Sequence, residues 1–346
     1  MARPSWKLLH SHLEKGLDLT PELAQFVMGQ IFEGRAEEEA IKLFLLDLKE
    51  KGESSTDIDL LVQQLLKYAL PIEISDYAVD PVGTGGDKKN TVNISTSAAI
   101  VTTAAGARVV KHGSIAASSK SGSADVLTAL GVNTDLTGEG VAATVRQLGI
   151  GFMKATTFHA ALRHAAPARR ALGVPTVFNI LGPLANPVQP KAIALGVAAP
   201  EKLRPMAEVV AKRGGHGFAF RGDDGIDELT LATTSTILQI HDGIIEEFTF
   251  DPQEIGITLA PLSDLVGGEP SVNAQIIKEV FEGKEGPVRE AILLNAAIAL
   301  AAFKADFGLG IEQQIANGYV LARQAIDSGK ARKLLTDWAA LSHELS

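Results

Sequence analysis

The chain has 346 residues, which at roughly 150 residues per domain suggests about two domains. Hydrophobic residues make up 46% and charged residues 21%, enough for an ordinary buried core, and the formal net charge of -9 argues against a general nucleic-acid binder held by phosphate neutralisation. No cysteine is present, which excludes a disulfide framework, a thiolate nucleophile and every cysteine-based zinc site. Polar and charged residues interrupt the leucines from Met1 to Thr20, and no window reaches the apolar length of a membrane span. A soluble cytoplasmic protein without nucleic-acid or membrane partners is expected.

Residues 1–74 read as a small all-helical domain. Thr20-Pro21 has the form of an N-cap followed by proline at the first helical position, and Leu23, Phe26, Val27 and Ile31 follow at helical spacing until Gly34. A second helix runs from Ala40 to Leu48, and a third follows Ser54-Ser55-Thr56 with Ile58, Leu61, Val62, Leu65 and Leu66 on one face.

From residue 75 to 346 the pattern predicts a large α/β domain. Strand-like segments at Ala78–Val82, Arg108–Lys111, Ile150–Met153, Ala192–Val197 and His216–Phe220 alternate with helical stretches such as Ser95–Ala105, Val141–Leu148 and Leu203–Lys212. That alternation argues for a largely parallel sheet. Thr236–Ile240 and Ile244–Phe250 flank His241-Asp242-Gly243, a hairpin signal. Val288–Phe303, Ile311–Ala325 and Lys330–His343 close the chain as helices.

Four stretches carry chemistry. Gly83-Thr84-Gly85-Gly86-Asp87 follows a predicted strand, and Asn93-Ile94-Ser95-Thr96 then opens a helix. Glycines let backbone N–H groups approach an anion, and a helix N-terminus adds unpaired donors. The lysine-bearing P-loop and the dinucleotide fingerprint are both absent. Lys111-His112-Gly113-Ser114, with the loop Ser118-Ser119-Lys120-Ser121-Gly122-Ser123, follows another strand and offers a cation and hydroxyls to phosphate. Asp223-Asp224-Gly225-Ile226-Asp227-Glu228 supplies carboxylates of the kind that hold Mg²⁺ together with substrate phosphate oxygens. Arg169 and Arg170 lie in a helical stretch, Ala160–Leu172, and either could clamp a substrate carboxylate. His10, His12, His159 and His164 have no zinc-binding spacing on a shared helix face.

Taken in order, GTGGD, NISTSAA, KHGS, SSKSGSADVLTALGV, APARRALGVPTVFNILGPLANP and GDDGIDELT resemble the anthranilate phosphoribosyltransferase family over essentially the whole chain. The resemblance implies a nucleoside phosphorylase/phosphoribosyltransferase-like architecture, with the helical domain joined by helices near 160–185. It implies a homodimer formed through the helical part, and transfer of phosphoribosyl from phosphoribosyl pyrophosphate to anthranilate in tryptophan biosynthesis. Substrate contacts are then implied at Gly83, Gly85, Gly86, Asp87, Thr91, Asn93, Ser95, Thr96, Lys111, His112, Gly113, Ser114, Ser119, Ser123, His159 and Arg169. Lys111 and Arg169 take the catalytic roles, and Mg²⁺ falls on Ser95, Asp227 and Glu228. This sequence departs from the family's usual Lys-His-Gly-Asn-Arg at Ser114-Ile115, and Lys154 is expected to add charge near the acceptor path. The alternatives are a transferase for another aromatic acceptor, a pyrimidine-nucleoside phosphorylase and a non-catalytic nucleic-acid-binding relative.

Overall fold

The structure, a computed structural model, describes residues 3–116 and 119–345. Four helices come first: α1 (Trp6–Leu13), α2 (Pro21–Phe32), α3 (Glu38–Lys51) and α4 (Ser55–Lys67). Thr20 caps α2 by accepting the Leu23 N–H at 3.3 Å, with Pro21 just inside. Ser54 and Asp57 form a reciprocal capping box on α4.

The chain then alternates: β1 (Val79–Gly83), α5 (Ile94–Ala104), β2 (Val109–Gly113), α6 (Ser123–Ala129), α7 (Gly138–Leu148) and β3 (Ile150–Lys154). Three short helices follow, α8 (Ala155–Phe158), α9 (Ala166–Leu172) and α10 (Phe178–Leu184), with a 3₁₀ turn at Ala160–His164. The expected helix over Ala160–Leu172 is therefore broken in two, and Pro167, which fits only the first turn of a helix, marks the new start. Next come β4 (Ala192–Gly196), α11 (Pro200–Lys212), β5 (His216–Gly222), β6 (Ser235–His241) and β7 (Ile244–Phe250). The last helices are α12 (Pro270–Phe281), α13 (Pro287–Lys304), α14 (Ile311–Asp327) and α15 (Lys330–Glu344).

The strands form one seven-stranded sheet in the order β3-β2-β1-β4-β5-β6-β7. β1 to β5 are parallel, and β6 and β7 continue antiparallel as a hairpin. Asp242 and Gly243 turn that hairpin with φ of 49° and 78°, the two positive angles a two-residue primed turn needs.

Strand alternation sorts the core. On β4, Ala192 and Ala194 join the core built on α5 and α13, whereas Ile193 and Leu195 face a second core. That second core is continuous from Leu9, Val27, Phe44 and Leu61 through Ala168, Phe178 and Leu181 to Met206 on α11. The first four helices therefore pack onto the sheet through α9, α10 and α11. β1 lies between β2 and β4, so chain order reverses there, and the crevice at the carboxyl ends of β1 and β4 is the place where open α/β sheets bind ligands.

Candidate active site

The glycine loop leaves β1 at this reversal. Gly85 and Gly86 have φ of +64° and +81°, and nothing would obstruct a ligand beside them. Gly83 and Gly196 have a different task. A Cβ on Gly83 would lie 2.3 Å from Asp227 Oδ2, and one on Gly196 would lie 1.7 Å from the Asp227 carbonyl oxygen. Glycine at both strand ends thus lets Asp227 wedge into the seam between β1 and β4, where its Oδ2 accepts the Gly85 N–H at 2.7 Å.

Glu228 reaches the other wall and accepts the Ser95 N–H at 3.2 Å, at the start of α5. Lys111, on β2, points to the same place. Its ammonium donates to Pro81 O at 2.6 Å and to Ser95 Oγ at 3.4 Å. Ser95 is therefore held between a carboxylate and a cation. Thr96 beside it keeps a buried hydroxyl without a hydrogen-bond partner among the described residues.

Negative charge exceeds positive charge here. Burial, reinforced by Asp87, pushes Asp227 up to about 6. Burial and then the neighbouring Asp227 push Glu228 well above the usual carboxylate range. Asp87 is raised by burial as well. Lys111 is the buried cation among them; burial lowers its pKa against the pull of Asp80, Glu228 and Asp227. Such a site favours an added cation. Its oxygens, the Asp227 and Glu228 carboxylates and the Ser95 hydroxyl, are the hard ligands Mg²⁺ takes. Among the described residues no three His, Asp or Glu gather as a complete metal cage. A Mg²⁺ that shares its coordination with substrate phosphate needs none.

Of the expected acidic run, only Asp227 and Glu228 face this site. Asp223 accepts from the hydroxyls of Thr234 and Thr236, and Asp224 from Thr230 Oγ1 at 2.6 Å, so both serve the turn after β5.

The serine loop follows β2. Ser118 lies outside the described residues. Asp125 Oδ2 accepts the N–H groups of Ala116 at 2.8 Å and Gly122 at 2.9 Å and so ties these two residues to the start of α6. Gly113 packs so closely that a Cβ would lie 3.0 Å from Ser123 Cβ. The Ser114 carbonyl accepts the Ala124 N–H at 3.1 Å, and Ser119 Oγ donates to Ser121 O at 3.3 Å. Ser121, which the sequence reading did not single out, donates from Oγ to Asn93 Oδ1 at 3.0 Å and accepts from Asn93 Nδ2 at 3.0 Å. The Asn93 amide is thus engaged with protein, whereas the sequence reading has it pointing at an anion. Thr91 is held by a bridge to Val266.

Across the strand, His112 faces the opposite way from Lys111, as alternation requires. Its Nδ1 bonds Gly182 O at 2.9 Å, and His159 Nε2 bonds Ala185 O at 2.7 Å. The two rings meet edge to face with centroids 5.2 Å apart. Burial, then His159, holds His112 down to about 3, and burial lowers His159 too. Both are neutral, and a nitrogen that donates to a carbonyl carries the proton. His112 Nε2 is therefore a buried lone pair without a hydrogen-bond partner among the described residues, while the backbone of Leu65, beside Ala185, opposes the lowering at His159. Arg169 lies over the Phe178 ring at 5.5 Å, and burial alone lowers its pKa. Arg170, by contrast, is exposed. Lys154 corrects an expectation: its ammonium is taken up by Asp135 at 2.8 Å, so it adds no free charge.

Two more residues escaped the sequence reading. Asp80, fully buried on β1, accepts the His112 N–H at 3.2 Å and the Asn186 amide at 2.8 Å. Asn186 also donates to Val110 O at 2.7 Å. Together they hold β2 in place beneath Lys111 and His112.

Residues 75–332 match the family described as "Glycosyl transferase family, a/b domain", which fits a parallel sheet with an anion site at its order reversal. The anthranilate phosphoribosyltransferase of Rhodococcus jostii (strain RHA1) is 46% identical over 342 residues, covering 99% of this chain and 94% of that one. The crystal structure of anthranilate phosphoribosyltransferase from Thermus thermophilus superposes with a TM-score of 0.89 at 37% identity, covering 97% of this chain and 99% of that one. The enzyme from Saccharomyces cerevisiae in complex with PRPP and Mg has a TM-score of 0.86 at 27% identity, with 99% of both chains covered. The chain belongs to the anthranilate phosphoribosyltransferase family.

Proposed function

We propose that the protein transfers the phosphoribosyl group of phosphoribosyl pyrophosphate to anthranilate, a step of tryptophan biosynthesis that yields N-(5-phosphoribosyl)anthranilate and pyrophosphate. The observation that carries this reading is the Asp227–Glu228 pair, wedged between glycine loop and α5 with Lys111 alongside. An excess of buried carboxylates next to a phosphate-sized glycine loop suits a donor that arrives with a divalent cation. The yeast relative, solved with PRPP and Mg and, separately, with 4-fluoroanthranilate, supports donor, metal and acceptor alike.

In this reading Gly83, Gly85, Gly86, Asp87, Thr91, Asn93, Thr96, Gly113, Ser119 and Ser123 frame the donor. Ser95, Asp227 and Glu228 would hold Mg²⁺, which when bound would supply positive charge to offset that of the pyrophosphate. Lys111 stabilises the negative charge that grows as the anomeric C–O bond breaks. His112, Ser114, His159 and Arg169 frame anthranilate. The Arg169 guanidinium donates to its carboxylate, and the neutral His112 imidazole offers a lone pair to a donor such as its amine. The amine attacks from the face opposite the departing pyrophosphate, so a C–N bond replaces the C–O bond with inversion. As a neutral nucleophile it needs no prior deprotonation, and the proton it sheds after the C–N bond forms passes to solvent. Positioning in the crevice supplies much of the remaining acceleration.

The proposal includes two units, a helical one of residues 1–74 extended by helices near 160–185 and an α/β one of residues 75–346. It also includes assembly as a cytoplasmic homodimer. The deciding test is loss of anthranilate fluorescence with purified protein, phosphoribosyl pyrophosphate and Mg²⁺. Loss that requires both donor and metal is expected; absence of any donor-dependent product from anthranilate would overturn the reading.

A further inference from the structure

We infer that Asn273, far from the glycine and serine loops in sequence, is a positioning residue of the donor site. It lies on the first turns of α12, is 1% exposed, and its side-chain hydrogen bonds go to Asn93 and Gly268, not to Lys111 or the carboxylate pair. Its Nδ2 donates to Asn93 Oδ1 at 2.9 Å, and its Oδ1 accepts the Gly268 N–H at 2.7 Å. A Cβ on Gly267 would lie 2.4 Å from Asn273 Oδ1, so glycine there lets the chain fold directly over the amide. The covering segment is itself stitched to the glycine loop. Val92 N–H donates to Leu265 O at 2.8 Å, and Gly267 N–H donates to Asn90 O at 2.8 Å.

Asn93 is where these contacts converge. Its Oδ1 receives Asn273 Nδ2 and Ser121 Oγ together, and its Nδ2 returns a bond to Ser121 O. A carbonyl oxygen has two lone pairs, and both are used here. Two separate segments, the end of the glycine loop and the serine loop, are therefore registered on one half-buried amide, and the 265–268 strap reaches it through Asn273. Asn273 is what fixes that amide from behind. A ligand held by both loops needs their spacing constant, and preorganised loops bind more tightly because less ordering remains to be done. The role assigned to Asn273 rests on the donor reading of these loops.

The test compares wild type, Asn273→Asp and Asn273→Ala. Asn273→Asp is isosteric and keeps the acceptor for Gly268, but it turns an oxygen toward Asn93 Oδ1. Hydrogen exchange on the ligand-free proteins is expected to quicken in residues 91–96 and 119–125 and to stay unchanged in β4 and α13. In steady state, KM for phosphoribosyl pyrophosphate is expected to rise about tenfold, the loss of one net hydrogen bond. KM for anthranilate and kcat should stay within about twofold, since the side-chain hydrogen bonds of Asn273 reach neither the carboxylate pair nor the histidines. Unchanged exchange in the two loops overturns the inference. So does an unchanged donor KM with kcat falling in step with melting temperature, which is the signature of packing alone. If wild type shows no donor-dependent turnover, the functional reading fails, and the exchange comparison still decides whether Asn273 sets the loops.

Discussion

Asp80 is a buried carboxyl whose fully buried neighbour, Lys111, is itself discouraged from ionising. Burial pushes Asp80 up to about 7, against the opposing pull of Lys111, Asn186 and the His112 N–H. A group whose folded pKa lies above its unfolded value stabilises the fold while protonated and loses that contribution as pH rises through the folded value. From 3.8 to about 7 the linked free energy is roughly 4 kcal/mol. We expect the metal-free protein to lose thermal stability between about pH 4 and about pH 7. Asp80→Asn should make that slope shallower without abolishing it, because Asp227, raised to about 6, acts in the same direction. Melting temperatures at constant ionic strength measure the slope, and identical slopes in the two proteins would contradict the assignment. Glu228 extends the argument to catalysis. Glu228→Gln keeps an oxygen for the Ser95 N–H and removes a buried like charge beside Asp227. Its metal-free melting temperature should match or exceed that of wild type, while Mg²⁺-dependent turnover falls roughly a hundredfold or more.

At the scale of elements, the close seam between β1 and β4 is the feature most sensitive to a single methyl group. A Cβ at position 196 would meet the backbone of Asp227, which cannot swing aside as a flexible side chain could. Gly196→Ala should therefore cost about 3 kcal/mol or weaken Mg²⁺-supported donor binding by displacing Asp227. Urea unfolding and binding titrations check the two effects; wild-type values in both would mean the seam opens freely. Neither Gly196 nor the wedge was legible in the sequence, because the contact joins residues 31 positions apart through a sheet order no local signal reveals. What was legible is local. The five parallel strands begin within one residue of the expected positions, and Thr20, Ser54 and Asp242-Gly243 act as the cap, capping box and turn their chemistry implies. α6 was unread because its seven residues are too few to display a helical period, and α12 was not read either. Lys154 misled because its partner, Asp135, sits before the intervening helix α7.

For the whole molecule, the family residues gather at the carboxyl end of the sheet, and the helical unit carries a different signal. Leu43 and Leu46, one turn apart on α3, are 46% and 44% exposed, and Leu17, close to α1 in sequence, is 47% exposed. Scattered apolar residues are normal on a surface, but two on one helix face, beside a third in the same helical unit, suit an isologous contact. The buried face of α3, Ile41, Phe44, Leu45 and Leu48, is already used in the core, so these leucines contribute little to the fold of a single chain. Leu43→Glu combined with Leu46→Glu should convert a dimer to a monomer in sedimentation equilibrium and leave urea unfolding of the monomer nearly unchanged. A variant that stays dimeric would move the interface elsewhere, and a wild type that sediments as a monomer would remove the homodimer. Because Arg169 and His159 belong to segments packed on α1 to α4 while Lys111 and Asp227 belong to the sheet, an interface on the helical unit also bears on function. Fixing one wall of the acceptor side against a second subunit should lower the anthranilate KM of the dimer relative to the engineered monomer, with the donor KM unaffected.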